Sequence, residues 1–216
     1  MKIVLINGSP RKNCNSAQLL DACIEGIKLE APESELKVVN VYDYNFSGCK
    51  SCFACQMTVN REKLNCYVKD EIHDILEETR YADGIVIASP VYFLDISAQT
   101  KCFLERLNYP GPTEKAVPST FIYSMNANAE QFKDFNIDTY LSTSRWYMEN
   151  NFKSKPETVY AYDTYQFTDN ENLNENFKMR NAEKLARREL HFEKDLSAAR
   201  HAGKKLVERI RKVENK

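Results

Sequence analysis

The sequence is poor in glycine and proline, with six and seven in 216 residues, which excludes a collagen-like or low-complexity chain. It carries no excess of charge: 30 Lys and Arg face 31 Asp and Glu. That balance argues against a surface built throughout for nucleic acid, and no nucleic-acid partner is expected. No apolar run approaches the roughly 18 to 20 residues of a membrane span. The first residues, MKIVLINGSP, run straight into a strand-like stretch instead of a charged and then apolar leader, so a cytoplasmic protein is expected. Neither G-x-x-x-x-G-K-[ST] nor G-x-G-x-x-G occurs, which weakens the nucleoside-triphosphatase and dinucleotide-fold readings. His73, His191 and His201 share no metal-ligand spacing and read as solvated helix faces.

What is present suits an ordinary globular chain, with 43% hydrophobic and 28% charged residues. One domain is expected over 1–216, with a cysteine-rich loop at 46–68 and a C-terminal loop plus helical extension at 166–216. Apolar strand-like runs stand at 2–7, 36–42, 84–89, 116–124 and 157–164. Helical spacing follows the first from Leu19 to Ile27, then over about 70–80, 97–107 and 130–149. The polar stretch 166–178 reads as a surface loop, and about 180–213 as one long helix. Strand and helix alternate five times, which gives a parallel sheet covered by helices on both faces. In such three-layer α/β domains ligands bind beyond the carboxyl ends of the strands. The loops to watch are therefore 8–16, 44–68, 89–97 and 124–130.

The first of these is GSPRKNCNS, residues 8–16. A strand running into a helix start leaves backbone N–H groups unpaired in a positive field, which favours phosphate. Ser9 and Ser16 offer hydroxyl donors, Asn15 an amide and Arg11 a guanidinium. In the third loop, S-P-V-Y-F (89–93) offers backbone donors beside an apolar wall that suits a flat heterocycle.

Seven cysteines without a leader make a disulfide scaffold unexpected. Four of them, Cys49, Cys52, Cys55 and Cys66, follow C-x2-C-x2-C-x10-C. That crowding points to an iron-sulfur cluster, to zinc, or to redox-active thiols. Cys23 and Cys102 read as small core residues. Asp70 and Glu71 read as the acidic first turn of a helix, and Trp146, Tyr147 and Met148 as core or oligomer contact. Residues 178–216 hold 13 Lys and Arg against 6 Asp and Glu, which a helix packed on its own sheet or on a second subunit explains.

GSPRKNCNS resembles the G-S-P-R-x-x-G-N-[ST] loop of the flavodoxin-like NAD(P)H-dependent FMN reductases and the related iron-sulfur flavoproteins. ASPVYF, followed by SAQTKCFLER, resembles their G-S-P-V-Y-F and S-x-x-x-K-x-F-x-[DE]-R block, and C-K-S-C-F-A-C their cysteine loop. The likeness covers residues 1–110. It implies a five-stranded flavodoxin-like sheet of order 2-1-3-4-5 with FMN at the switch between strands 1 and 3. Ser9, Arg11, Asn15 and Ser16 would hold the phosphate. Pro90, Val91, Tyr92 and Phe93 would line the isoalloxazine edge, with Ser124 and Asn126 in the fourth loop. The four cysteines would hold a [4Fe–4S] cluster. The implied activity is electron transfer from NAD(P)H or a reduced protein to a flavin, quinone or similar acceptor, in a homodimer or homotetramer; the rival is an electron carrier between redox proteins. Three departures stand out: Cys14 replaces a glycine, Leu94-Asp95 replaces small residues, and SMNANAE (124–130) lacks glycines.

Overall fold

Alternate residues of the first strand, β1 (Lys2–Asn7), face two different cores. Ile3 and Leu5 belong to one apolar cluster, Val4 and Ile6 to the other, and all four are fully buried. A strand buried on both faces reads as continuous hydrophobic sequence, and each such side chain contributes about 1.5–3 kcal/mol. The computed structural model describes residues 1–57, 65–167 and 174–215. Parts of the cysteine-rich loop (58–64) and of the polar loop (168–173) lie outside these.

The order is β1, α1 (Asn15–Glu30), β2 (Glu35–Asn40), α2 (His73–Arg80), β3 (Gly84–Tyr92), β4 (Asp95–Ile96) and α3 (Ala98–Asn108). It continues with β5 (Ser119–Ser124), α4 (Ala129–Asp134), α5 (Ile137–Phe152), β6 (Glu157–Ala161) and α6 (Glu175–Glu214). The main strands pair in parallel as β2-β1-β3-β5-β6. This is the implied 2-1-3-4-5 order, because β4 is a two-residue hairpin strand on the end of β3. Helices α1 and α6 cover one face, and α2, α3 and α5 the other. The fold is α/β and flavodoxin-like, with a long C-terminal helix.

Several boundaries differ from the sequence pattern. The helix expected at 130–149 is two helices, because Asn136 takes a left-handed backbone (φ 49°) between them. Strand β5 starts at Ser119, after Pro118, whose nitrogen has no hydrogen to give a ladder. Strand β6 stops at Ala161, and Asp163 turns the chain away with φ 55°. The polar stretch 166–178 is not all loop: Asn174 caps Phe177 N–H and starts α6 there, forty residues long. Helix α2 begins at His73, so Asp70 and Glu71 lie outside it and serve as anchors instead. Asp70 forms a two-oxygen pair with the buried Arg106 at 2.5 and 3.0 Å, and Glu71 accepts from Asn45 N–H at 2.5 Å. His73 is buried rather than solvated, while His191 and His201 are exposed. Met148 is core, but Trp146 and Tyr147 are exposed. Among the described residues no helix is long and apolar enough to cross a membrane.

The basic C-terminal helix packs on its own sheet through Ala199, Ala202, Gly203, Leu206, Val207 and Ile210. Its crossing with α1 is close because both helices place glycine at the contact. A Cβ on Gly26 would lie 1.9 Å from the Arg200 carbonyl oxygen, and one on Gly203 would lie 2.1 Å from the Cys23 carbonyl oxygen. Backbone cannot swing aside as a side chain does. Gly203→Ala is therefore expected to lower unfolding stability by about 1–3 kcal/mol. An unchanged urea midpoint would contradict the close crossing.

Candidate functional site

The loops leaving β1, β3, β5 and β6 meet at one rim. Gly8 N–H donates to the Ala88 carbonyl at 2.7 Å, and Ser97 Oγ donates to the Gly8 carbonyl at 2.6 Å. Ser97 also receives Thr100 N–H as the cap of α3 and gives its own N–H to Ser89 Oγ at 3.0 Å. One serine thus fastens the first loop to the third. A Cβ on Gly8 would lie 1.9 Å from Thr100 Oγ1, so the glycine is required by this close approach.

The cleft so formed is lined by Ser9, Arg11, Cys14, Asn15, Ser16, Pro90, Val91, Tyr92, Ser124, Met125, Asn126, Thr164 and Gln166. Nine of the ten cofactor-binding candidates named from sequence lie there. The tenth, Phe93, stands wholly in solvent at the tip of the β3–β4 hairpin, with left-handed backbone at Phe93 and Leu94. Among the described residues the lining contains one guanidinium and no carboxylate. The first turn of α1, which opens onto it, has no acidic residue. Hydroxyls, an amide, a guanidinium and helix-start N–H groups form a donor set for an anion. The groups hold one another meanwhile. Ser16 Oγ lies 2.7 Å from Ser124 Oγ, Asn15 Nδ2 donates to the Tyr165 carbonyl at 2.9 Å, and Arg11 donates to the Gln166 carbonyl.

The three departures each have a local reason. Cys14 has an extended backbone (φ −102°, ψ −168°), so the position does not require glycine. Asp95 is spent on the hairpin, pairing with Lys101 Nζ at 3.0 Å and accepting from Ile96 N–H. The glycine-free fourth loop is occupied by pairing with the chain after β6. Thr164 N–H donates to the Met125 carbonyl at 2.9 Å, and Asp163 N–H to the Ala127 carbonyl at 2.8 Å.

Sequence reasoning missed Ser97, Thr164, Gln166 and Arg188. Ser97 opens the SAQTKCFLER segment, which was the signal available for it. Thr164 and Gln166 lie where a strand end and a polar loop were expected. Arg188 lies in the basic helix, where nothing marks one arginine among thirteen Lys and Arg. Its Nη1 donates to Asn15 Oδ1 at 2.8 Å.

The four cysteines also converge. Cys49, Cys52, Cys55 and Cys66 line one hollow with Phe53, Tyr67, Arg106 and Tyr109. Among the described residues no three His, Cys, Asp or Glu side chains are gathered tightly enough to hold a single metal ion. Burial first, then the neighbouring Cys66 and Cys49, push the Cys55 thiol up from its ordinary value. Arg106 is 1% exposed, and its Nε has no hydrogen-bond partner. Its other nitrogens give to Asp70 and to the Val68 and Ser47 carbonyls. A buried guanidinium with a spare N–H beside four thiols fits an anionic, sulfur-ligated group larger than one ion. Cys102 is half-buried beside this loop, not in the core, with its sulfur 3.4 Å from where a Cβ on Gly48 would stand. Cys23 is buried as expected.

Next to the cleft, Thr164 also borders a recess walled by Arg187, Arg188, His191, Phe192, Lys194 and Asp195. Arg187 and Lys184 are tied to Asp163 at 2.5 and 2.7 Å. Burial pushes the Asp195 carboxyl up from 3.8 to about 6, against the pull of His191 and Arg188.

Residues 1–132 match the family model of the NADPH-dependent FMN reductases. An iron-sulfur flavoprotein of Archaeoglobus fulgidus is 37% identical over 106 residues, 49% of this chain and 48% of its own length. One from Methanosarcina thermophila is 36% identical over 106 residues, 49% of this chain and 52% of its own. The chain spans about half the length of the curated relatives it matches. Among solved structures, an azoreductase from Bacillus anthracis superposes with TM-score 0.63 at 14% identity, covering 94% of this chain and 99% of that one. An NAD(P)H:quinone oxidoreductase from Methanothermobacter marburgensis gives 0.59 at 17%, covering 95% of each. At these identities the likeness is one of fold.

The Asp195 shift has a stability consequence of definite sign. The fold prefers the neutral carboxyl, so this group's contribution is whole below about pH 4 and is lost as pH rises through about 6. Asp195→Asn is expected to stabilise the protein at pH 7 by about 1 kcal/mol, allowing for the half-exposed position, with the gain gone near pH 4. Melting curves at the two pH values test this; an equal effect at both would rule it out.

Proposed function

This chain belongs to the NADPH-dependent FMN reductase family, and from that premise we propose that it binds FMN in the cleft at the carboxyl ends of β1, β3 and β5. There it would move electrons from NAD(P)H or a reduced protein donor to a flavin, quinone or similar acceptor. The observation that carries this reading is the joint lining of one cleft by residues of the 8–16 loop and by Pro90, Val91 and Tyr92, which brings donors for an anion together with an apolar and aromatic strand end. Ser9, Arg11, Asn15 and Ser16 would hold the phosphate through charge-assisted and neutral hydrogen bonds. Pro90, Val91 and Tyr92 would line the ring edge, with Phe93 at the rim and Ser124 and Asn126 opposite. FMN, when bound, supplies both hydride acceptance and one-electron transfer. The protein's side chains set its position and its electrostatic surroundings, and none is assigned as an acid or base. The exposed Trp146, Tyr147 and Phe93 suit contact with further copies in a homodimer or homotetramer.

A second reading, an iron-sulfur flavoprotein that carries electrons between protein partners, is favoured by the thiol hollow. Cys49, Cys52, Cys55 and Cys66 would hold a [4Fe–4S] cluster, with Arg106 facing it. Arg106 stands nine residues along α3 from Ser97, about 13 Å by helical rise. The two sites would therefore be neighbours and not in contact.

FMN titration is expected to give stoichiometric binding with the absorption of bound flavin, and Arg11→Gln to weaken it about tenfold for the lost charge-assisted contact. Protein that gains no flavin absorption on titration would defeat the reading. Steady-state oxidation of NADH and NADPH with a quinone acceptor separates enzyme from carrier: turnover favours the first, and its absence with ready reduction by a ferredoxin favours the second. Anaerobically prepared protein is expected to carry on the order of four irons and four sulfides per chain. Cys66→Ser should lose most of both. Iron-free protein after reconstitution with iron and sulfide would remove the cluster and leave the flavin reading standing.

A further inference from the structure

The polar groups of the anion cleft come from β1, α1 and the loops, but the orientation of one of them is set from the far end of the chain. Asn15 is buried, and its carboxamide has one oxygen and two N–H donors. Arg188 Nη1 occupies the oxygen at 2.8 Å. A guanidinium can only donate, so the amide cannot turn over. One N–H goes to the Tyr165 carbonyl at 2.9 Å, and the other remains for the cleft that Asn15 lines. Arg188 is itself fixed: Nη2 donates to Gln18 Oε1, and the guanidinium lies 3.6 Å from the Phe192 ring centre and 4.6 Å from that of Tyr165.

The charge on this guanidinium has no close counter-ion among the described residues, and Asp195 acts on it only from a longer distance. Among the described residues no carboxylate lies within ion-pair distance of Arg188, and its hydrogen-bond acceptors are two neutral amides. Burial depresses its pKa, while Tyr165, Cys14 and Asp195 favour the charged form. A half-buried cation without a counter-ion is costly unless an anion comes to it. The neighbouring cleft is lined without a carboxylate among the described residues.

We propose that Arg188 is a positioning residue for the phosphate of the flavin: it turns the Asn15 amide donor-side toward the cleft, adds a second positive charge behind it, and so makes the site select the phosphorylated flavin over riboflavin. This rests on the reading of the cleft as an FMN site, and it assigns the selection to a residue beyond the 132 that match the family model. The helix that supplies it is the basic one whose charge is otherwise explained by packing.

The test compares FMN with riboflavin, which shares the ring system and lacks the phosphate. Dissociation constants are measured by flavin fluorescence quenching for wild type, Arg188→Gln and Arg188→Lys. Arg188→Gln is expected to weaken FMN about tenfold and riboflavin less than about twofold, and Arg188→Lys to recover part of the FMN affinity. An arginine that only docks α6 would lower both ligands together, so equal losses overturn the proposal, as does unchanged FMN affinity in Arg188→Gln. Wild type that binds riboflavin as tightly as FMN would refute the phosphate seat itself. Binding of neither flavin would refute the FMN reading, and either result would take this inference with it. Circular dichroism of each variant confirms that α6 is retained.

Discussion

The hydroxyl of Ser97 gives its hydrogen to the carbonyl of Gly8, and the rest of the cleft is built on that bond. Parallel strands deliver their carboxyl ends to one edge, but they do not by themselves bring the following loops into register. Ser97 does so while capping α3 and receiving Thr100 N–H. Its own N–H goes to Ser89, which sits beside the proline that opens the ring-edge segment. The glycine at position 8 is the other half of the device, since any side chain there would meet Thr100. Two segments joined across 89 residues of sequence are therefore fastened together beside the start of α1.

The parallel sheet was readable because buried parallel strands leave uninterrupted apolar runs and their crossovers leave helical spacing, while its strand order came from the resemblance carried by the 8–16 and 88–93 loops. The side of the cleft formed by the 8–16 loop was readable for a related reason. Ser9, Arg11, Asn15 and Ser16 stand within eight residues, so a local pattern carries them. What was not readable depends on contacts made across the chain. Asp70 and Glu71 look like an acidic helix start, yet their partners are Arg106 and Asn45, on other segments. His73 has the spacing of a surface residue and is buried, with Lys69 of the preceding segment against its ring nitrogen. Cys102 follows a core-like pattern along α3, but the cysteine loop lies against it, which no period along the helix encodes.

The thiol hollow shows the same division at closer range. Spacing groups Cys49, Cys52 and Cys55 on one turn of chain, and it leaves Cys66 at the end of a ten-residue excursion. What draws Cys66 back is Arg106, which takes the Val68 carbonyl and Asp70 from the strand of chain just after it. The guanidinium is thus buried by the loop it organises, with its Nε unpartnered and the Cys66 thiol close enough to favour its charge. Removing either charge of this pair would leave the other uncompensated in the interior, so the loop and α3 form one unit energetically.

The first half of α6 is held against the rest of the fold mainly by polar contact, unlike the second half. Between Glu175 and Phe192 the described side chains of α6 bury little: Asn181 and Phe192 are the buried ones. What holds this half in place is Lys184 and Arg187 on Asp163, Asn181 on Phe167, and Arg188 on Asn15 and Gln18. Of these, the partly exposed Arg187–Asp163 pair contributes little and weakens with salt, while the Lys184–Asp163 pair is more shielded. The lower half of the same helix is sealed to α1 through glycine contacts and apolar side chains, so its position is not negotiable. One helix therefore carries a half sealed by apolar packing and a half held by polar contacts, and the second half touches Asn15 and Gln18. On the proposed role of Arg188, an anion seated against Asn15 would favour the arrangement in which Arg188 holds the amide oxygen, and linkage would make the effect mutual.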